Sequence, residues 1–183
     1  MSKPLPNVPR TDDTRFQDFC DFLRKTKVLP AKGLATSSYV DHLSVLVVPV
    51  DPQPNCDISY CWFNCIDHQL SNGGQVVYGW SLWQRGDVFI AQHHAIWRNE
   101  EGELLDPTPN EGLSAQALFM PDNRAPFDVE RLRTPPNLEW KSNGDFKWVA
   151  GNYHESFFFI GAMEPTEAQS GRIKRIHQRL GLI

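Results

Sequence analysis

Two strand-like runs, residues 75–83 and 88–97, are rich in Val, Ile and aromatic side chains and are separated only by Gln84-Arg85-Gly86-Asp87. A turn that short joins its flanking strands antiparallel, because a parallel pair needs a crossover of a dozen or more residues. Upstream, nothing between residues 61 and 70 breaks a helix. Asp57 and Ser59 can cap its start, and Asn72-Gly73-Gly74 supplies a stop. Downstream, Asn99-Glu100-Glu101-Gly102 is a second tight connection, leading into a short strand at 103–106. The sequence therefore predicts a helix starting close to Cys61, followed by an antiparallel meander.

The flanks supply packing elements. Between residues 12 and 27, Phe16, Phe19, Cys20 and Leu23 recur at helical spacing with charged residues between them, which predicts an amphipathic helix with Cys20 as a structural cysteine on its apolar face. Residues 43–50 read as a buried β-branched strand ending in the turn-forming Asp51-Pro52-Gln53-Pro54-Asn55. Residues 107–147, dense in Pro, Asn and Asp, read as a long wrapping loop with short elements. A last strand is expected at 156–160. A terminal helix is expected at 165–180, with Ile173, Ile176 and Leu180 inward and a solvated basic face of Lys174, Arg175 and Arg179. A chain of 183 residues, 40% of them hydrophobic, supports one sizeable core, so residues 1–183 are taken as a single domain of the α+β class.

A formal net charge of −4 argues against a nucleic-acid partner, since phosphate-backbone binders collect a basic surplus. The longest apolar run, 43–50, contains Pro49 and is far short of the roughly 20 residues that span a bilayer. Residues 1–10 are Pro-rich and polar, without the basic flank and apolar run of a secretory signal, so a cytoplasmic location is expected. There Cys20, Cys56, Cys61 and Cys65 are expected as reduced thiols.

A cysteine in the first turn of a helix has its thiolate stabilised by unsatisfied backbone N–H groups and by the positive end of the helix dipole. Cys61 fits that position. Cys56 has no helix behind it, and Cys65, one turn on, reads as core packing. About thirty residues later come His93 and His94 in a strand, and Asp106 closes the next strand. Adjacent antiparallel strands can set a histidine beside a carboxylate, so that one imidazole nitrogen is oriented by Asp106 and the other faces a thiol. His93 and His94 point to opposite faces of their strand, so only one can be the base.

The ordered set Cys61, Gly73-Gly74, Val77-Tyr78-Gly79-Trp80, His94-Ala95-Ile96-Trp97 and Leu105-Asp106-Pro107-Thr108 resembles the transglutaminase-like (papain-like) cysteine enzymes, over roughly residues 59–109. It is also similar to small bacterial proteins that share the Gly-Gly, Tyr-Gly-Trp and His-Ala-aliphatic-Trp strings. The resemblance implies a nucleophile helix packed on an antiparallel β-sheet and a Cys61–His94–Asp106 triad. His94 is favoured as base because Ala95 follows it as the motif's alanine does, with His93 as the alternative. The family strand reads His-Ala-Trp, whereas here Trp97 stands one residue further along. Candidate oxyanion or site-shaping groups are Gln53 and Asn55, which can equally be turn formers; Asn64, which can equally be an exposed helix residue; and Trp80, which with Trp83 and Trp97 either lines a groove or fills the core.

Such a triad predicts thiolate attack on an amide or peptide carbonyl, a thioester, and then hydrolysis or transfer to an amine. A peptide, isopeptide, glutamine side chain or small amide is the expected substrate. No cofactor is expected, and Asn72-Gly73-Gly74 lacks the features of a phosphate cradle. A zinc site built from Cys61, His68, His93 or His94, and Asp106 lacks paired-ligand spacing. The remaining alternative is a non-catalytic interaction module.

Overall fold

A computed structural model describes residues 5–26, 41–110, 114–149, 161–162 and 166–183. The hairpin organises them. Strands β2 (Gln75–Arg85) and β3 (Val88–Arg98) pair antiparallel along their whole length, from Gln75 opposite Arg98 to Arg85 opposite Val88. Two close approaches explain the glycines around the hairpin. A Cβ on Gly74, whose φ is +75°, would sit 2.3 Å from the Arg98 carbonyl oxygen, and one on Gly79 would sit 2.2 Å from the Met120 carbonyl oxygen.

Around this hairpin grows a seven-stranded antiparallel sheet. Its order is β1 (Leu46–Pro49), β5 (Gln116–Pro121), β2, β3, β7 (Asn137–Lys141) and β8 (Phe146–Val149), with β4 (Leu104–Leu105) also on β3. Strands β6 (Arg133–Thr134) and β9 (Gly161–Ala162) form a separate pair. Helix α1 (Thr14–Lys25) buries Phe16, Phe19, Cys20 and Leu23 against Trp80, Leu82, Phe89 and Trp140. Helix α2 (Cys61–Asn72) covers the other end of the same sheet face through Phe63, Cys65 and Ile66 against Val76 and Ala95. Helix α3 (Glu167–Arg179), started by a Thr166/Gln169 capping box, adds Ile173 and Ile176 to that cluster. The α+β class and the helix–meander order follow the sequence reading.

Three expectations change. Residues 107–147 are no wrapping loop, because they contribute β5, β7 and β8 to the main sheet. β5 is a short apolar run buried on both faces between β1 and β2, and β7 turns Leu138 and Trp140 inward. The surrounding Pro and Asp residues hide these strands in the composition. Leu180 is 40% exposed rather than inward, because α3 ends at Arg179. The basic face of α3 is not wholly solvated: Arg179 bonds the Leu70 carbonyl and pairs with Asp67 at 3.5 Å. The strand expected at 156–160 lies outside the described residues.

Candidate active site

Strand β3 is covered by β2 on one edge, but on the other edge β7 pairs only with Val88–Ala91 and β4 only with Trp97 and Arg98. The backbone between them is open to α2. The Cys65 thiol bonds the Ala95 carbonyl at 3.3 Å, and one turn earlier the Cys61 thiol interacts with the His94 ring. His94 Nε2 lies 2.7 Å from Asp106 Oδ2, which leaves Nδ1 for the thiol. Asp106 directly follows β4 and bridges to Val50 rather than to β3. Its N–H donates to the Pro49 carbonyl at 2.9 Å, and its own carbonyl accepts from Asp51 at 3.0 Å. Its second carboxylate oxygen accepts from the Thr108 N–H at 2.9 Å, so both oxygens are fixed.

The imidazole is oriented from three directions. Gly79 stands opposite His94 in the β2–β3 register, and the Phe119 ring meets the His94 ring edge-on with centroids 6.4 Å apart. The His94 side chain is only 13% exposed. Burial acts to lower its pKa, but the electrostatic pull of Asp106 and Cys61 outweighs it, together with the hydrogen bond to Asp106, and holds the pKa well above the ordinary histidine value. A His94 ring that favours its protonated form beside a thiol is what a thiolate–imidazolium pair requires.

Cys61 is the first residue of α2, as expected, but neither Asp57 nor Ser59 caps the helix. The N-cap is Tyr60, which makes no side-chain capping bond, and the first turn holds no acidic residue. Ser59 is instead held at φ 67°, a left-handed value that costs a non-glycine residue of order 1–3 kcal/mol. The Asp57 carbonyl is used twice, by Tyr60 N–H and by the Asn64 side chain. The first-turn N–H groups are thereby left without a side-chain cap, at the positive end of the helix, where an oxyanion is stabilised.

A cavity of about 230 Å³ opens over these groups and is lined by Ser59, Cys61, Trp62, His94, Asp106 and Thr108, and further along the sheet by Ser81, Trp83, Arg85, Ile90, Gln92, Asn137 and Glu139. Four candidate residues do not reach it. The Gln53 amide bonds the Asp51 carbonyl and carboxylate, and Asn55 is exposed in the turn. Asn64 is buried rather than exposed: it joins the Asp57 carbonyl, Thr108 Oγ1 at 3.0 Å and Arg172 Nη1 at 2.7 Å, tying α2 to the Asp106 loop and to α3. Trp80 lies on the opposite sheet face and donates to the buried Asp122.

His93 is buried, with both ring nitrogens engaged. Its Nε2 donates to the Ala125 carbonyl at 2.6 Å, while Nδ1 accepts from Trp62 Nε1 at 3.0 Å and from Thr134 Oγ1 at 2.7 Å. Burial pushes its pKa down to about 4, so it is a neutral packing histidine beneath the Trp62 ring. The motif tryptophan, Trp97, is also structural: it donates to the Gly73 carbonyl and packs its ring against His68 at 4.5 Å.

Sequence reasoning missed Ser81, Gln92, Asn137 and Arg85 as cavity residues. The alternation of β2 and β3 would have placed the first two beside His94, whereas Asn137 required knowing that β7 is a strand. Among the described residues, no cluster of His, Cys, Asp and Glu could hold a metal ion, and no helix is long and apolar enough to cross a membrane. No family model, curated protein or solved structure matches this chain.

Proposed function

We propose that the protein is a cysteine-dependent amide or peptide hydrolase, with Cys61 as nucleophile, His94 as general base and then acid, and Asp106 as the orienting carboxylate. One observation carries this reading: a single imidazole bonds Asp106 through Nε2 at 2.7 Å and also interacts with the thiol at the start of a helix, both lining an open cavity. The helix–meander order and the Gly-Gly, Tyr-Gly-Trp and His-Ala strings support a transglutaminase-like core for it.

In the forward step the proton of the Cys61 thiol rests on His94 Nδ1 as sulfur attacks the carbonyl carbon, and the resulting oxyanion sits near the first-turn N–H groups of α2. The tetrahedral intermediate collapses to a thioester as His94 returns the proton to the departing amine. Water, deprotonated by His94, then releases the acid and restores the thiol. All four cysteines are free thiols, which suits a reducing, cytoplasmic compartment.

The test uses an activated ester such as p-nitrophenyl acetate, because it reports the nucleophile without knowledge of the natural substrate. The expected result is a burst of p-nitrophenol with an acyl adduct on Cys61, abolished in Cys61→Ala and His94→Ala. Equal acylation of the His94→Ala variant would refute the reading.

A further inference from the structure

The cavity over Cys61 continues along the sheet to Arg85, the last residue of β2. The Arg85 Nε atom is buried and has no hydrogen-bond partner, and among the described residues the guanidinium makes no ion pair. Among the described residues, the acidic groups that line the cavity are engaged with other partners, and Asp87 in the adjoining turn faces outward. Asp106 is held by His94 and Thr108, Glu139 pairs with Lys147 at 2.8 Å, and Asp87 is exposed in the turn. A buried donor on a permanent cation is expensive to leave unsatisfied, and folded proteins seldom do so without a functional reason.

We propose that Arg85 is a specificity residue that binds a carboxylate of a peptide laid in extended form along the β2–β3 face, with its scissile amide at Cys61. This rests on the reading of Cys61 as nucleophile. Among the described residues Arg85 is the only Lys or Arg lining the cavity, so its single charge matches a monoanionic carboxylate better than a phosphate dianion, and its planar fork suits bidentate carboxylate recognition. Gly79, opposite His94, and Arg85 are six positions apart on β2 (85 − 79), about 20 Å of extended strand. The guanidinium and the ligand's own side chain span part of that length, which puts the acidic group roughly three to five residues from the scissile bond. Trp83 and Ile90, paired across the strands between the two ends, provide an apolar floor for the intervening residues.

The test is calorimetric binding of alanine-based hexapeptides to the full chain carrying Cys61→Ala, which prevents turnover. Peptides carry Glu or Gln at successive positions, with the C-terminus free or amidated to separate a side-chain carboxylate from an α-carboxylate. One Glu or free-acid peptide is expected to bind roughly five- to tenfold tighter than its neutral counterpart. That preference should disappear in Arg85→Gln and be partly kept in Arg85→Lys. Equal binding of charged and neutral peptides, no binding of any peptide, or a preference unchanged by Arg85→Gln would overturn the assignment. These outcomes do not depend on Cys61 chemistry. An inert Cys61 in the alkylation experiment below would fault the nucleophile reading instead.

Discussion

Acidification should destabilise the protein in a window that belongs to His93. The folded-state pKa of about 4 lies below the ordinary value of 6.5 because the ring is buried, so the unfolded chain binds a proton there that the folded chain does not. The contribution is fully present above pH 6.5 and is lost as pH falls toward the folded value. A fall from 6.5 to about 4 makes the full loss about 3 kcal/mol, most of it reached by pH 4.5. His94 acts in the opposite sense and elsewhere. Its pKa is raised, so its contribution is complete below 6.5 and falls only as pH rises through the folded value. His68 is lowered by burial and adds to the acid loss, but its ring is far less buried than that of His93. Asp122, held low by Arg124 and Trp80 against the cost of its burial, gives way only below the ordinary carboxylate value of 3.8. Urea unfolding of wild type and His93→Gln between about pH 7 and pH 4.5 separates these contributions. The variant should begin less stable, because the Ala125 carbonyl, Trp62 and Thr134 lose their partner, and should then lose about 2–3 kcal/mol less than wild type on acidification. Parallel losses in the two proteins would refute the assignment of His93 as a neutral buried histidine.

Gly79→Ala should destabilise by about 3 kcal/mol in the same urea assay, since its Cβ would meet β5 backbone at 2.2 Å and force β2 and β5 apart. Arg172→Met should cost about 2 kcal/mol, because it removes the cation that bonds Asn64 at 2.7 Å and pairs with Asp67 at 3.4 Å; thermal unfolding would show it. Ser59→Gly should be neutral to stabilising by up to about 1 kcal/mol, because glycine accepts the φ of 67° without strain; a clear loss of stability would show that the serine side chain holds the turn.

The parts of the fold that could be read from sequence are those where one local signal decided the outcome. The helix start at Cys61, the Gly73-Gly74 stop and the 75–98 hairpin each rest on neighbouring residues, and each formed within a residue or two of its expected bounds. β5 and β7 rest on long-range pairing, with β5 inserted between β1 and β2, and no local pattern among so many Pro and Asn residues announces that. The site divides in the same way. Alternation along β3 separates His93 from His94, and the hairpin order brings Asp106 back toward His94. The places of Asn64 and Arg85 depend on α3 and on the length of the cavity, which are tertiary facts. Local turn chemistry also gave a misleading cue: Asp57 and Ser59 look like caps, yet the left-handed Ser59 leaves the helix uncapped where the thiol stands.

The central claim is that His94, held by Asp106, activates Cys61. Iodoacetamide labelling at neutral pH, followed by peptide mass spectrometry, reads each cysteine separately and needs no substrate. Burial pushes the Cys20 thiol up to about 12, raises Cys65 well above its ordinary value and raises Cys56, so these three should label slowly. Cys61 should label at least roughly tenfold faster than Cys56, and His94→Ala should remove that advantage while His93→Gln leaves most of it. A Cys61 that labels no faster than Cys56, or whose rate is indifferent to His94→Ala, would contradict the account.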